Sequence, residues 1–167
     1  MKIFLMLLGG LAVLGALVAA VGARLPRAHQ ASRQAAAALY AVVRDFAAAG
    51  QWRRGVQSAE MLPAVAGQVR YREVSGHGAT TYRVLEDRPG QRLVVEIADR
   101  DLPYGGTWTF AFTRDGETTV LRITEQGFVG NPVFRFLARF VFGHTTTLEQ
   151  YLRDLGRKFG ETTRPQP

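Results

Sequence analysis

Apolar and polar positions alternate through most of the middle of the chain and settle into a helical rhythm at its two flanks. Ala28 to Gln34 reads as a first strand. Ala35 to Ala49 is rich in alanine and spaces Leu39, Val42, Val43 and Phe46 for one helical face, with Gly50 as its stop. Strand patterns then follow at Val56–Leu62, which Pro63 is expected to end, and at Gln68–Val74, Ala79–Glu86, Arg92–Ala98, Thr107–Thr113 and Thr118–Glu125. The segments between them carry turn chemistry: Ser75-Gly76-His77-Gly78, Asp87-Arg88-Pro89-Gly90 and Asp115-Gly116. Strands this short and evenly spaced predict an antiparallel meander. The last element is a long helix that opens with Asn131 as cap and Pro132 at its first position. Its stripe is Phe134, Leu137, Val141, Leu148, Leu152, Leu155 and Phe159.

The N-terminus follows a different pattern. Ile3 to Val21 holds no charge; the run lies between Lys2 and Arg24. Nineteen residues at ~1.5 Å each span about 28 Å, close to the hydrocarbon thickness of a bilayer. The segment lacks the polar face that a core helix at a domain surface would show. Residues 1–23 therefore read as a transmembrane anchor, with Val21-Gly22-Ala23 leaving open the alternative of a cleaved signal. Residues 24–27 form a linker, residues 28–160 one domain and residues 161–167 a polar tail. Lys2 and the amino terminus on one flank nearly balance Arg24, Arg27 and Arg33 on the other, with a slight lean towards a cytoplasmic domain.

Charge and composition narrow the function classes. The formal net charge is +7, but the arginines are scattered singly among acids and form no stripe of the kind nucleic acid requires. The chain has no cysteine, which excludes thiolate chemistry, zinc–thiolate sites and disulfides. Its three histidines, His29, His77 and His144, lack the spacing of a zinc motif, so no metal and no cofactor is expected. No serine sits in a hydrolase elbow, and Gly76-His77-Gly78 lacks the third glycine of a nucleotide loop.

Two residues are candidates for acid–base chemistry. His144 falls on the inward stripe of the last helix, where a proton donor and a core histidine bonded to a backbone carbonyl look alike. Glu125 shares a face with Leu121 and Ile123, where its carboxyl either carries a raised pKa or pairs with Arg70 or Arg72 from another strand. A gap between sheet and helix would be lined by Tyr71, Tyr82, Trp108, Phe110, Phe112, Leu121 and Ile123 from the strands. Phe134, Leu137, Val141 and His144 would line it from the helix. The same aromatic faces serve equally well as a filled core. Phe136, Phe140 and Phe142 widen the apolar arc of that helix beyond one stripe. They suit either a cavity mouth touching lipid or packing under a strand lid.

Several segments in this order resemble the START/Bet v 1-like (SRPBCC) superfamily, which includes polyketide cyclase/dehydrase-like and lipid-transfer proteins. They are the early helix with Tyr40, Asp45 and Trp52; Gly106-Thr107-Trp108-Thr109-Phe110; Thr119 to Glu125; Asn131 to Arg135; and Thr147-Leu148 with Tyr151, Leu152 and Leu155. The alanine run 35–38 departs from the proline the family often has before this helix. The resemblance implies an α+β helix-grip fold, in which a curved antiparallel sheet of about six to seven strands wraps a long C-terminal helix. One transmembrane helix precedes it here. It also implies a cavity for hydrophobic ligands, with no particular ligand; a lipid, quinone or polyketide-like compound fits a membrane-tethered module. Three readings follow: a membrane-tethered binding or transfer module, a cyclase- or dehydratase-like enzyme using His144 or Glu125, and a non-catalytic interaction domain with a filled core. Protein partners are not indicated.

Overall fold

The computed structural model describes residues 27–129, 146–162 and 164–166. The uncharged run 3–21, expected to be an anchor, and the segment 130–145 with Phe134, Leu137, Val141 and His144 lie outside the described residues. Among those described, no helix is long and apolar enough to cross a membrane.

Among the described residues seven strands form one antiparallel sheet: β1 (Arg27–Ser32), β2 (Val56–Val65), β3 (Gln68–Ser75), β4 (Gly78–Arg88), β5 (Arg92–Ile97), β6 (Tyr104–Asp115) and β7 (Thr118–Val129). The order across the sheet is β1-β7-β6-β5-β4-β3-β2. Strands β2 to β7 are the expected meander, since each pairs with the next in sequence. The exception is β1, which pairs with β7 and so lies at the opposite edge from β2. The connection between those edges carries α1 (Ala36–Arg44), a 3₁₀ turn (Phe46–Ala48) and α2 (Ala49–Trp52). The last helix, α3, is described over Thr146–Lys158.

Four boundaries differ from the sequence reading. The first strand starts at Arg27 and ends at Ser32, so Arg27 belongs to the sheet and not to a linker. The helix expected over 35–49 breaks at Asp45, whose side chain accepts from the Ala48 N–H and whose backbone (φ −77°, ψ 76°) leaves the helical region. A short polar side chain that satisfies a nearby backbone donor competes with the helical ladder in this way. Gly50 accordingly sits inside α2. Pro63 does not stop β2. The strand continues to Val65 because β2 is an edge strand, and Pro63 falls in the register shift between Leu62 and Val65, where no ladder donor is required. The polar tail is also tied down: the backbones of Gln166 and His29 exchange hydrogen bonds of 2.8 and 2.9 Å.

The described helices lie on one face of the sheet. Leu93, Val95, Phe110, Phe112, Leu121 and Ile123 point towards them and are buried with Leu39, Tyr40 and Val43 of α1 and Leu148, Leu152 and Leu155 of α3. The opposite face carries the alternate residues, mostly arginine, glutamate and threonine. A bulge between Val84 and Glu86 shifts the phase of β4, so that Asp87 turns inward and accepts from the Tyr40 hydroxyl and from Arg44 Nε.

Candidate functional site

The inward face of the sheet is largely apolar along β5 and β6, and beside α2 and the middle of α3 a buried ion pair enters the core. Period-two alternation along β3 sends Val69, Tyr71 and Glu73 the same way. Trp52 is the last residue of α2, and Arg53, its C-cap, turns extended (φ −91°, ψ 113°). Arg53 Nη1 donates to Glu73 Oε1 at 2.5 Å, and both side chains are largely buried.

Aromatic rings wall this ion pair. The Arg53 guanidinium stands 4.8 Å over the Tyr151 ring of α3. Tyr71 stacks between Phe46 and Tyr82, with centroids 3.9 and 5.0 Å away. Tyr151 meets Trp52 edge-on at 5.2 Å and Phe110 at 5.3 Å. Together with Val95 and Trp108 these residues enclose a chamber of about 30 Å³. That is room for about one water molecule.

The electrostatics follow from burial. Desolvation opposes the Arg53 charge, but Glu73, Tyr151 and Tyr71 outweigh it and hold its pKa up. Burial raises the phenol pKa values of Tyr71, Tyr82 and Tyr151, with Glu73 adding to each and Arg53 opposing, so all three are neutral hydroxyl groups at any physiological pH. Trp52 lines the chamber, and its buried Nε1 has no hydrogen-bond partner among the described residues. An unsatisfied buried donor costs about 1–3 kcal/mol.

Glu125 stands beside this chamber, opposite Trp108 in the β6–β7 register. Burial raises its pKa, and the Trp108 indole partly offsets the effect. Arg70 and Arg72 do not reach it. They lie on the outer face of β3, where Arg72 pairs with Glu60. Among the described residues no group of three or more His, Asp or Glu side chains could hold a metal ion. A second concavity, about 700 Å³ and open to solvent, lies on the outer face between Arg83, Arg100, Thr107 and Gln126. It is larger than the chamber but encloses no buried charge.

No family model and no curated protein matches this sequence. Solved structures do match in shape. A Thermus thermophilus protein superposes with a TM-score of 0.67 at 17% identity, over 81% of this chain and 96% of its own. A START superfamily protein from Mycobacterium smegmatis gives 0.62 at 17% identity, over 80% and 95%. The di-domain ARO/CYC StfQ of the steffimycin biosynthetic pathway gives 0.58 at 16% identity, over 78% of this chain and 50% of that one. The chain has a START-like helix-grip fold.

Within this fold, Tyr71, Tyr82, Trp108 and Phe110 line the chamber, on the face to which their strands' alternation turns them. Phe112, Leu121 and Ile123 do not line it; they are buried in the filled part of the core, against α1 and α3. The sequence reading missed Arg53 and Glu73. Glu73 carried a usable signal, since it continues the inward series of Val69 and Tyr71. Arg53 carried none, because its orientation depends on where α2 ends.

Proposed function

We propose that the protein binds a hydrophobic small molecule bearing an oxygen-rich polar group, with that group at Arg53, Glu73 and Trp52. The apolar body would run along the half-buried end of the same sheet face, past Tyr82, Trp108 and Glu125. The observation that carries this reading is the Arg53–Glu73 pair. A buried ion pair is often no more stabilising than apolar residues of the same volume. Here it sits among aromatic rings beside an indole donor that lacks a partner among the described residues. The group bound would supply the acceptor that Trp52 lacks and a partner for the guanidinium. The START-like fold supports the reading, since the neighbours of this shape include a START superfamily protein and an ARO/CYC protein. The uncharged run Ile3–Val21 would hold the domain at a bilayer, where such a ligand partitions.

A chamber of about 30 Å³ does not hold a whole ligand, and ligand sites typically measure about 300–1,000 Å³. Binding on this reading is coupled to opening of the aromatic wall. The test is organic extraction of the purified full chain with mass spectrometry, followed by titration of the recovered compound against intrinsic tryptophan fluorescence. A stoichiometric compound that quenches wild-type protein, and quenches Trp52→Phe and Arg53→Met more weakly, supports the assignment. An empty extract, with no response to fatty acids, quinones or aromatic polyketides, rejects it. The small volume then favours the second reading, an interaction domain with a packed core.

A further inference from the structure

The face of the sheet turned away from the helices is built from rows of residues in register. One row runs His29, Arg122, Ala111, Arg92 and Arg88 across β1, β7, β6, β5 and β4. The next is Arg27, Thr124, Thr109, Val94 and Glu86. A third is Gln126, Thr107, Glu96, Arg83 and Arg70. Six arginines stand against two glutamates in these rows, a surplus of four positive charges. Glu86 is shared between Arg88 and Arg92, and Glu96 is taken by Arg83. Between the arginines the side chains are short: alanine, threonine and valine. The result is a low surface rimmed by long cations.

Its position on the chain matters as much as its charge. Arg27 opens β1, which is the edge strand of the sheet. It is the sixth residue after Val21, the last residue of the uncharged run. Fully extended, that connection reaches about 20 Å. A chain anchored through that run therefore enters the sheet at the edge of the arginine rows, with Arg27 and His29 as the first residues pointing outward.

We propose that this outer face lies against the bilayer that holds the protein and binds anionic lipid headgroups through Arg27, Arg92 and Arg122. The proposal rests on the tether proposed above. Near an anionic surface each arginine contributes about 1 kcal/mol, so each one lost lowers the ratio of docked to undocked chains about five-fold. The attraction acts within about 10 Å at 0.1 M salt, and a connection of about 20 Å confines the face to within about two such lengths of the surface. Docking also leaves the helical face, with its chamber, directed away from the headgroups.

The chain has no cysteine, so a single label is easily placed. Full-length Thr109→Cys carrying a polarity-sensitive fluorophore is reconstituted into vesicles of phosphatidylcholine alone, or with phosphatidylglycerol added. Gln57→Cys, on the far edge strand, is the control. The expected result is flotation with both vesicles, together with shielding of the Thr109 position from acrylamide only on the anionic ones. That shielding disappears at high salt and in the Arg92→Gln, Arg122→Gln double variant, while Gln57 stays equally accessible throughout. Flotation with both vesicles and no shielding overturns the docking but leaves the tether standing. Equal shielding on neutral vesicles overturns the charge-driven contact. No flotation with either overturns the tether, and the docking with it.

Discussion

Arg53 donates to Glu73 across the space between α2 and β3, and its guanidinium covers one face of the Tyr151 ring from α3. Three separate elements thus converge on one buried charge. Removing either partner leaves the other unpaired in an aromatic surround, which costs about 3–5 kcal/mol. Arg53→Met and Glu73→Leu should each lose stability in that range by urea unfolding. The double variant should lose less than either alone, since no charge is then stranded. Additive losses would show that the two side chains do not interact in solution.

Asp154 holds α3 to the start of β2. It is only 2% exposed. Its carboxylate accepts from the Arg54 backbone N–H at 2.9 Å, from Gln150 Nε2 and from Arg157. Asp154→Ala should cost about 2–3 kcal/mol, because the Arg54 N–H loses its acceptor and the helix loses its tie. Arg54→Ala keeps that N–H, and the Arg54 side chain is 63% exposed. It should cost less than about 1 kcal/mol. Thermal unfolding of the two variants side by side checks the ordering.

Gly106 is fixed by backbone geometry. Its φ is +141°, and a Cβ there would stand 2.4 Å from the Gln126 carbonyl oxygen and 2.5 Å from the Gly127 Cα. Both obstacles are main chain, so nothing can rotate aside. Gly106→Ala should force β6 and β7 apart beside Trp108 and Glu125, and destabilise by more than about 1 kcal/mol. Gly67→Ala also meets a positive φ, but open space surrounds it. Comparing the two by circular dichroism melts separates the clash from the conformational cost.

The strands that line the chamber were legible because their signal is local. Leu93 and Val95, and Trp108, Phe110 and Phe112, alternate with polar residues, and each set packs into the core beneath the helices. What was not legible depends on contacts distant in sequence. The continuation of β2 past Pro63 follows from its lying at the sheet edge, which pattern alone does not reveal. The pairing of Arg53 with Glu73 spans 20 residues. Arg70 and Arg72 carry the charge to pair with Glu125, yet alternation from Tyr71 turns them to the other face of β3. The inward turn of Asp87 depends on one inserted residue in β4, and a bulge leaves no mark on hydrophobic periodicity.

Glu125 gives the pH dependence. Burial raises its pKa above the ordinary value of 4.5, with the Trp108 indole working in the opposite direction. The folded chain therefore holds this proton more tightly than the unfolded chain does. Below about pH 4 both states are protonated and the group has little effect on stability. As pH rises past 4.5 the unfolded chain ionises first, and stability falls until the folded carboxyl has ionised too. Beyond that the penalty is constant. Glu125→Gln removes it, so the variant should melt above wild type at pH 7, and the difference should shrink towards zero near about pH 4. A difference that stays the same across that range would mean that Glu125 is solvated in the folded protein. It would then have no raised pKa to bring to a ligand or to proton transfer.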